Sequence, residues 1–309
     1  MAAALDTEAG RGGRPPARMA GTRRPFSFGR WFKATGWRHL VAVVMLVFAL
    51  FPIVFVISSS LNPHGTLTGS NALFSQIGLE SYVRILTDPQ VPYTQWFANT
   101  LLIAGVNAVA SVFLGALAAY SFSRMRFTGR RFGLVTIVVV QMFPQMLAVV
   151  AIFLLMSSIS DWFPAIGLNT QIGLMIVYLG GALGVNTFLM YGFFNTIPAS
   201  IDEAAKIDGA GHARIFFTII LRLAAPILAV VALLSFIFTV NEFAVASVIL
   251  IDSDKQTLAV GLYKLVSNPR YADWSAFSAG AVMAALPVVA LFLWLQKYIV
   301  GGLTAGAVK

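Results

Sequence analysis

Cysteine is absent from the 309 residues, and charge is scarce: Asp, Glu, Lys and Arg together make up 11% of the chain. The first absence excludes disulfides, iron–sulfur sites and thiol catalysis, and leaves the redox compartment open. The second reaches further. A soluble globular chain carries about 25% charged residues, so a chain at 11% charged and 58% hydrophobic is an integral membrane protein before any motif is read. A Gly-x4-Gly-Lys-Ser/Thr phosphate loop is also missing, and no Gly-Lys pair occurs anywhere, so the chain does not hold ATP in that way. No His-Glu-x-x-His or Gly-x-Ser-x-Gly appears. His39, His64 and His212 stand apart, at span ends or in loops, and form no ligand set. No catalytic residue and no metal site is expected, and an enzyme is the weaker class.

What is present is a series of apolar runs, each near the 20 residues that a membrane helix needs. They are continuous rather than alternating, which argues for an all-α protein and against a β-barrel. Six spans are predicted, at 39–60, 97–122, 132–157, 170–194, 219–251 and 276–299. Residues 1–38 are polar, basic and rich in Gly and Pro, and read as a flexible tail. Residues 39–96 hold the first span and a long loop, 97–300 the other five helices, and 301–309 a short tail. The net charge is +9. The positive residues cluster beside the spans, so orientation explains them better than nucleic acid does, and lipid is the nearer partner. Six spans put both ends on one side. With that side inside, 17 of the 21 Lys and Arg lie inside: eight in the first tail, four at 124–131, three at 206–222 and two near the end. Only Arg84, Lys255, Lys264 and Arg270 lie outside. Both termini and the 198–218 loop are therefore expected in the cytoplasm.

Polar groups inside spans need partners, because hydrocarbon supplies none. Gln141 and Gln145, four apart, share a helix face; their amides suit a sugar or a bond between helices. Gly180 and Gly184 form a Gly-x-x-x-Gly that fits close packing. Asn186 lies in the same span. Asn241 and Glu242 sit in the fifth, and Glu242 is the one acid within a span. It reads either as a pathway residue or as a carboxylate near a helix end, paired or hydrated. Pro144 and Pro226 are expected to kink their helices.

The loop at 198–218 differs from everything around it. Pro198 ends a span, and Ser200 followed by Glu203 fits a capping box. Glu203, Ala204, Ala205 and Lys206 favour helix, and Gly209 and Gly211 allow a sharp turn. On these residues alone the loop is a short amphipathic connector. Its spacing, however, resembles the EAA motif, EAA-x3-G-x9-I-x-L-P, of the permease subunits of ATP-binding-cassette importers. The match covers Glu203, Ala204, Ala205, Gly209, Ile219 and Leu221, and departs at Arg222, where the family has proline. The blocks PILAVVALLSFI, VASVILI, TLAVGLY, AVMAALPVV and GLTAGAVK are similar to MalG-like permease subunits of maltose/maltodextrin importers.

The resemblance implies a six-helix type I importer permease in a prokaryotic cell membrane, in which Asp202, Glu203, Ala204, Ala205, Asp208 and Gly209 lie on a coupling helix docked into a cytoplasmic ATPase. It implies an ATPase dimer that carries the ATP and Mg, no cofactor on this chain, a second, MalF-like permease, and an extracytoplasmic sugar-binding protein touching the loop at 252–275. Gly302, Leu303, Thr304, Ala305 and Gly306 match a tail that enters the ATPase dimer interface. The sugar path is expected near Gln141, Gln145, Asn186, Asn241 and Glu242. Alternatives are a trehalose or other α-glucoside importer, and an ion-driven transporter that works alone through Glu242.

Overall fold

A computed structural model describes residues 28–63, 73–270 and 272–307. The described residues are helical, with no strand among them. His64 and most of the basic tail, residues 1–27, lie outside them. The chain divides into two units, one up to Pro52 and one from Ile53. In the first, helix begins at Phe28, well inside the segment expected to be a flexible tail. It passes through a π-helical turn at Phe32–Gly36 into the first span, Trp37–Ser60. Aromatic residues give this stretch local order: Trp31 meets His39 edge-on at 6.1 Å, and the Arg38 guanidinium lies 5.9 Å from the Trp37 ring.

Among the described residues, four helices are long and apolar enough to cross a membrane, or up to six if each bent pair counts as one span. The second span, Tyr93–Arg124, is a single helix of 32 residues. Its buried face is built from small side chains, with Ala104, Ala108, Ser111, Gly115 and Ala119 at helical spacing, which lets neighbouring helices approach closely. Against it pack Gln171–Phe194 and Ala225–Asn241, and Trp274–Ala307 packs on the last of these.

The other spans depart from the simple pattern. The third is not one helix over 132–157 but two, Arg130–Gln141 and Gln145–Trp162. Pro144 is the cause: it has no N–H to donate and holds its neighbours out of helix. Gln141 and Gln145 therefore sit on different helices rather than on one face. The fourth bends by 44° between Gln171–Gly181 and Leu183–Phe194. The fifth, expected over 219–251, comes as His212–Leu223, then Ala225–Asn241 after a bend of 79°, then Ala244–Ile249. Pro226 stands in the first turn of the middle piece, where its missing N–H costs nothing. The backbone helix of the sixth runs from Trp274 to Ala307, so Gly302, Leu303, Thr304, Ala305 and Gly306 continue a helix rather than forming a separate tail.

Candidate functional site

Polar chemistry gathers at three levels of the bundle: a basic end marked by Arg124, Arg126, Arg130 and Lys206, the interior, and the opposite end.

At the basic end, Ala199–Ile207 forms a short helix. It starts at Ala199 with Pro198 as its cap and no side-chain capping bond, so the expected capping box does not form. Asp202 is drawn elsewhere. Its carboxylate is buried and its Oδ2 lies 3.0 Å from the Arg124 Nε, with both side chains about nine-tenths buried. The N–H is not aligned for a hydrogen bond, so the attraction is mainly that of the two charges. Arg124 Nη2 also donates to the Ile197 carbonyl at 2.8 Å, and Ser123 Oγ donates to Asn195 Oδ1 at 2.9 Å. The Tyr120 ring packs on Phe216, and its hydroxyl lies 3.4 Å from His212 Nδ1. Ala205 faces inward with Ile197, Ile215 and Phe216. The outer face is different: Glu203, Ala204, Lys206, Asp208 and Gly209 are exposed, and so is the whole side chain of Ile207, at 87%. Gly209 has φ +80°, a left-handed conformation that glycine adopts without steric penalty. Of the six coupling residues expected from the sequence, four therefore face outward. Asp202 and Ala205 anchor the helix instead, and Ile207 is an outward apolar residue that the motif did not mark. A polar cleft of about 650 Å³ runs between this helix and the 124–130 turn.

In the interior, a cavity of about 500 Å³ lies between the third, fourth and fifth spans, and a second of about 360 Å³ shares Gln141, Gln145, Gly181 and Phe238 with it. No Lys or Arg lines either. Gln141 Nε2 donates to the Gly181 carbonyl at 2.9 Å. Gly184 leaves room for that amide, since a Cβ there would stand 2.0 Å from Gln141 Nε2. Thus Gly184 accommodates a side chain rather than a helix backbone. Asn186 is buried and donates to Ser235 Oγ at 2.9 Å. Asn241 is turned back on its own helix, donating to the Ile237 carbonyl at 2.8 Å. Glu242 lines the larger cavity, but its carboxylate is engaged: it accepts the Tyr178 hydroxyl and the backbone N–H groups of Val245 and Ala246. With three donors, the carboxylate caps the helix Ala244–Ile249. Tyr178 carries no motif, and its role was invisible in the sequence.

At the opposite end the loop after Ile249 is tied down. Asn169, at φ +58°, donates to Asp252 and accepts the backbone N–H groups of Ile251 and Asp252. The Lys255 ammonium, with the Asn169 amide, holds the Asp252 carboxyl below its ordinary range. Trp96 Nε1 donates to the Ser253 carbonyl at 2.7 Å, and Thr100 Oγ1 accepts the Leu258 N–H at 2.7 Å. Arg84 pairs with Asp273 at 3.1 Å. Among the described residues, no group of three or more His, Asp or Glu is placed to hold a metal ion.

An exposed short helix clamped beneath a bundle of spans has close relatives. Residues 111–304 match the family of binding-protein-dependent transport system inner membrane components. The chain is 38% identical over 282 residues to the maltose/maltodextrin transport system permease protein MalG of Escherichia coli K12, covering 88% of this chain and 94% of that one. It is 37% identical over 292 residues to the MalG of Vibrio parahaemolyticus, covering 91% and 98%. Among solved structures, a chain of a bacterial ABC transporter involved in the import of the acidic polysaccharide alginate superposes with a TM-score of 0.74 at 26% identity, over 89% of this chain and 99% of that one. The all-helical architecture is that of the type I importer permeases. The chain belongs to the binding-protein-dependent transport system inner membrane components, as a MalG-like permease subunit of an ABC importer.

Proposed function

We propose that this chain forms half of the translocation pathway of an ATP-driven importer of maltose and maltodextrins, with both termini and the helix Ala199–Ile207 in the cytoplasm. The outward face of that helix carries the reading: Glu203, Ile207 and Gly209 are presented to a partner while Asp202 and Ala205 hold the helix to the spans. The partner is an ATPase dimer that binds the ATP and Mg; this chain supplies the docking surface. A second, MalF-like permease completes the pathway, and a sugar-binding protein engages the loop at 252–275. Identity to MalG over nearly its whole length supports the sugar class. So does the cavity lining, where amides, aromatic rings and no cation suit a neutral glycan. Gln141, Gln145 and Asn186 face the path, whereas Asn241 and Glu242 act through the shape of the fifth span.

ATP binding would close the ATPase dimer, carry the coupling helix with it and open the spans outward. Hydrolysis would reset them. Each ligand must favour one state over the other for this to work. The test is a mild-detergent purification of the tagged chain followed by uptake of labelled maltose in reconstituted vesicles. Co-purification of a second permease and an ATPase, with ATP-dependent uptake, is the expected result. A chain that purifies alone and takes up sugar on a proton gradient refutes the proposal, and uptake of trehalose or an oligo-uronate in place of maltose corrects the substrate.

Two substitutions probe the docking face. Glu203→Ala is expected to lower ATPase retention about tenfold or more, as loss of a charged interface contact does; wild-type retention and transport would remove Glu203 from the interface. At Gly209, a Cβ would meet nothing of this chain within 4 Å, so the cost within the chain is backbone strain, about 1–2 kcal/mol. Sugar moved per ATP should fall in the order Gly, Asn, Ala, Val. Equal coupling for Gly209→Asn and Gly209→Val would show that the left-handed turn does not matter.

A further inference from the structure

We propose that the helix Tyr93–Arg124 is the rod that couples the ATPase-docking helix to the outer loop at 250–258, carrying displacement across the membrane as one rigid element. This rests on the importer reading above and adds its route. Both ends of this helix carry long-range polar contacts. At the cytoplasmic end, Ser123 and Arg124 hold Asn195, Ile197 and Asp202, which bracket the entry to the docking helix and its first turns. At the outer end, Trp96 and Asn99 donate to the carbonyls of Ser253, Asp254 and Gln256, and Thr100 accepts the Leu258 N–H. From Trp96 to Arg124 the helix rises about 42 Å, at 1.5 Å per residue.

Between these ends the helix is held by packing rather than by polar bonds between side chains. Asn107 and Ser111 are buried, and neither side chain has a hydrogen-bond partner. The surrounding face carries the small side chains Ala104, Ala108, Gly115 and Ala119, with Ile103 and Tyr120 as its larger buried members. A buried amide without a partner is costly, so no polar bond fixes the middle of the helix to its neighbours. Every other span has a mechanical weak point. The first and sixth contain Pro52 and Pro287. The third is broken, and the fourth and fifth bend by 44° and 79°. Force applied at the docking helix is absorbed by those breaks, whereas the second span transmits it. Coupling is reciprocal, so a loaded binding protein pressing on the outer loop drives the docking helix by the same path.

Position between two sites is not proof of coupling; non-additivity is. The experiment uses the whole assembly, this chain with its partner permease and ATPase, in lipid nanodiscs, and reads ATP hydrolysis with and without maltose-loaded binding protein. Four variants are compared with wild type: Arg124→Lys, Trp96→Phe, both together, and a softened rod carrying Val106→Gly and Val109→Gly on its exposed side. Each end variant is expected to lower the stimulated-to-basal ratio about fivefold or more, and the double variant no further than the worse single. The softened rod should lose stimulation with both ends intact. Effects that multiply in the double variant, an unchanged ratio in either single variant, or a softened rod with the wild-type ratio would each overturn the proposal. Should Arg124→Lys fail to assemble, as judged by size-exclusion chromatography, Ser123→Ala takes its place. A wild-type assembly that ignores loaded binding protein refutes the importer reading itself, and the rod with it.

Discussion

Arg124→Met should destabilise the protein by about 3–5 kcal/mol, the cost of leaving a buried partner charge uncompensated. Asp202 is 5% exposed, and Arg124 is the cation paired with it. Removing the guanidinium strands the carboxylate and frees the Ile197 carbonyl, so the helix Ala199–Ile207 loses its tie to the second span. The expected readout is a large drop in melting temperature in detergent, together with loss of the ATPase on purification. Adding Asp202→Leu should recover most of the stability, because a buried ion pair replaced whole by apolar side chains is often neutral or better. It should not recover transport. The two readouts separate a fold defect from a coupling defect. A single variant as stable as wild type would mean that water reaches the pair and screens it.

The second large effect is expected at the other end of the same helix. A Cβ at Gly261 would stand 2.2 Å from two carbons of the Trp96 indole, and that ring is 2% exposed. A rigid ring in a closed site cannot step aside as a flexible chain end can, so Gly261→Ala should cost about 1–3 kcal/mol or more through overpacking. The displaced indole would also release its bond to the Ser253 carbonyl, loosening the outer loop. Thermal unfolding and binding-protein-stimulated ATP hydrolysis should both fall. Trp96→Phe in the Gly261→Ala background makes room and should restore stability but not stimulation. Gly105→Ala, where an added Cβ meets nothing within 4 Å, is the matched control and should change neither. If Gly261→Ala behaves like Gly105→Ala, the packing around Trp96 is looser than described.

Sequence alone determined the class of this protein. Continuous apolar runs require helices in a bilayer, because only a helix satisfies its own backbone there. The spaced residues Glu203, Ala204, Ala205 and Gly209 marked the exposed short helix, and Pro144 and Pro226 marked where the third and fifth spans are interrupted, since a proline acts within a turn of its own position. These are local properties, and a sequence displays them directly. Tertiary structure decided the partners. Asp202 was legible as an acid of the short helix, but not that folding brings Arg124, 78 positions away, against its carboxylate. Glu242 read as a pathway acid or a paired helix-end acid, and only folding showed it at a helix end with Tyr178 and two backbone N–H groups as its partners. Gln141 and Gln145 shared a helical face in sequence and lost it at the break before Pro144, yet meet again on the same cavity. Periodicity and composition record which face of an element is apolar, but not which distant side chain arrives opposite a buried charge. That is set by how the spans pack, where the energy of one ion pair or one cap depends on geometry from segments far apart in the chain.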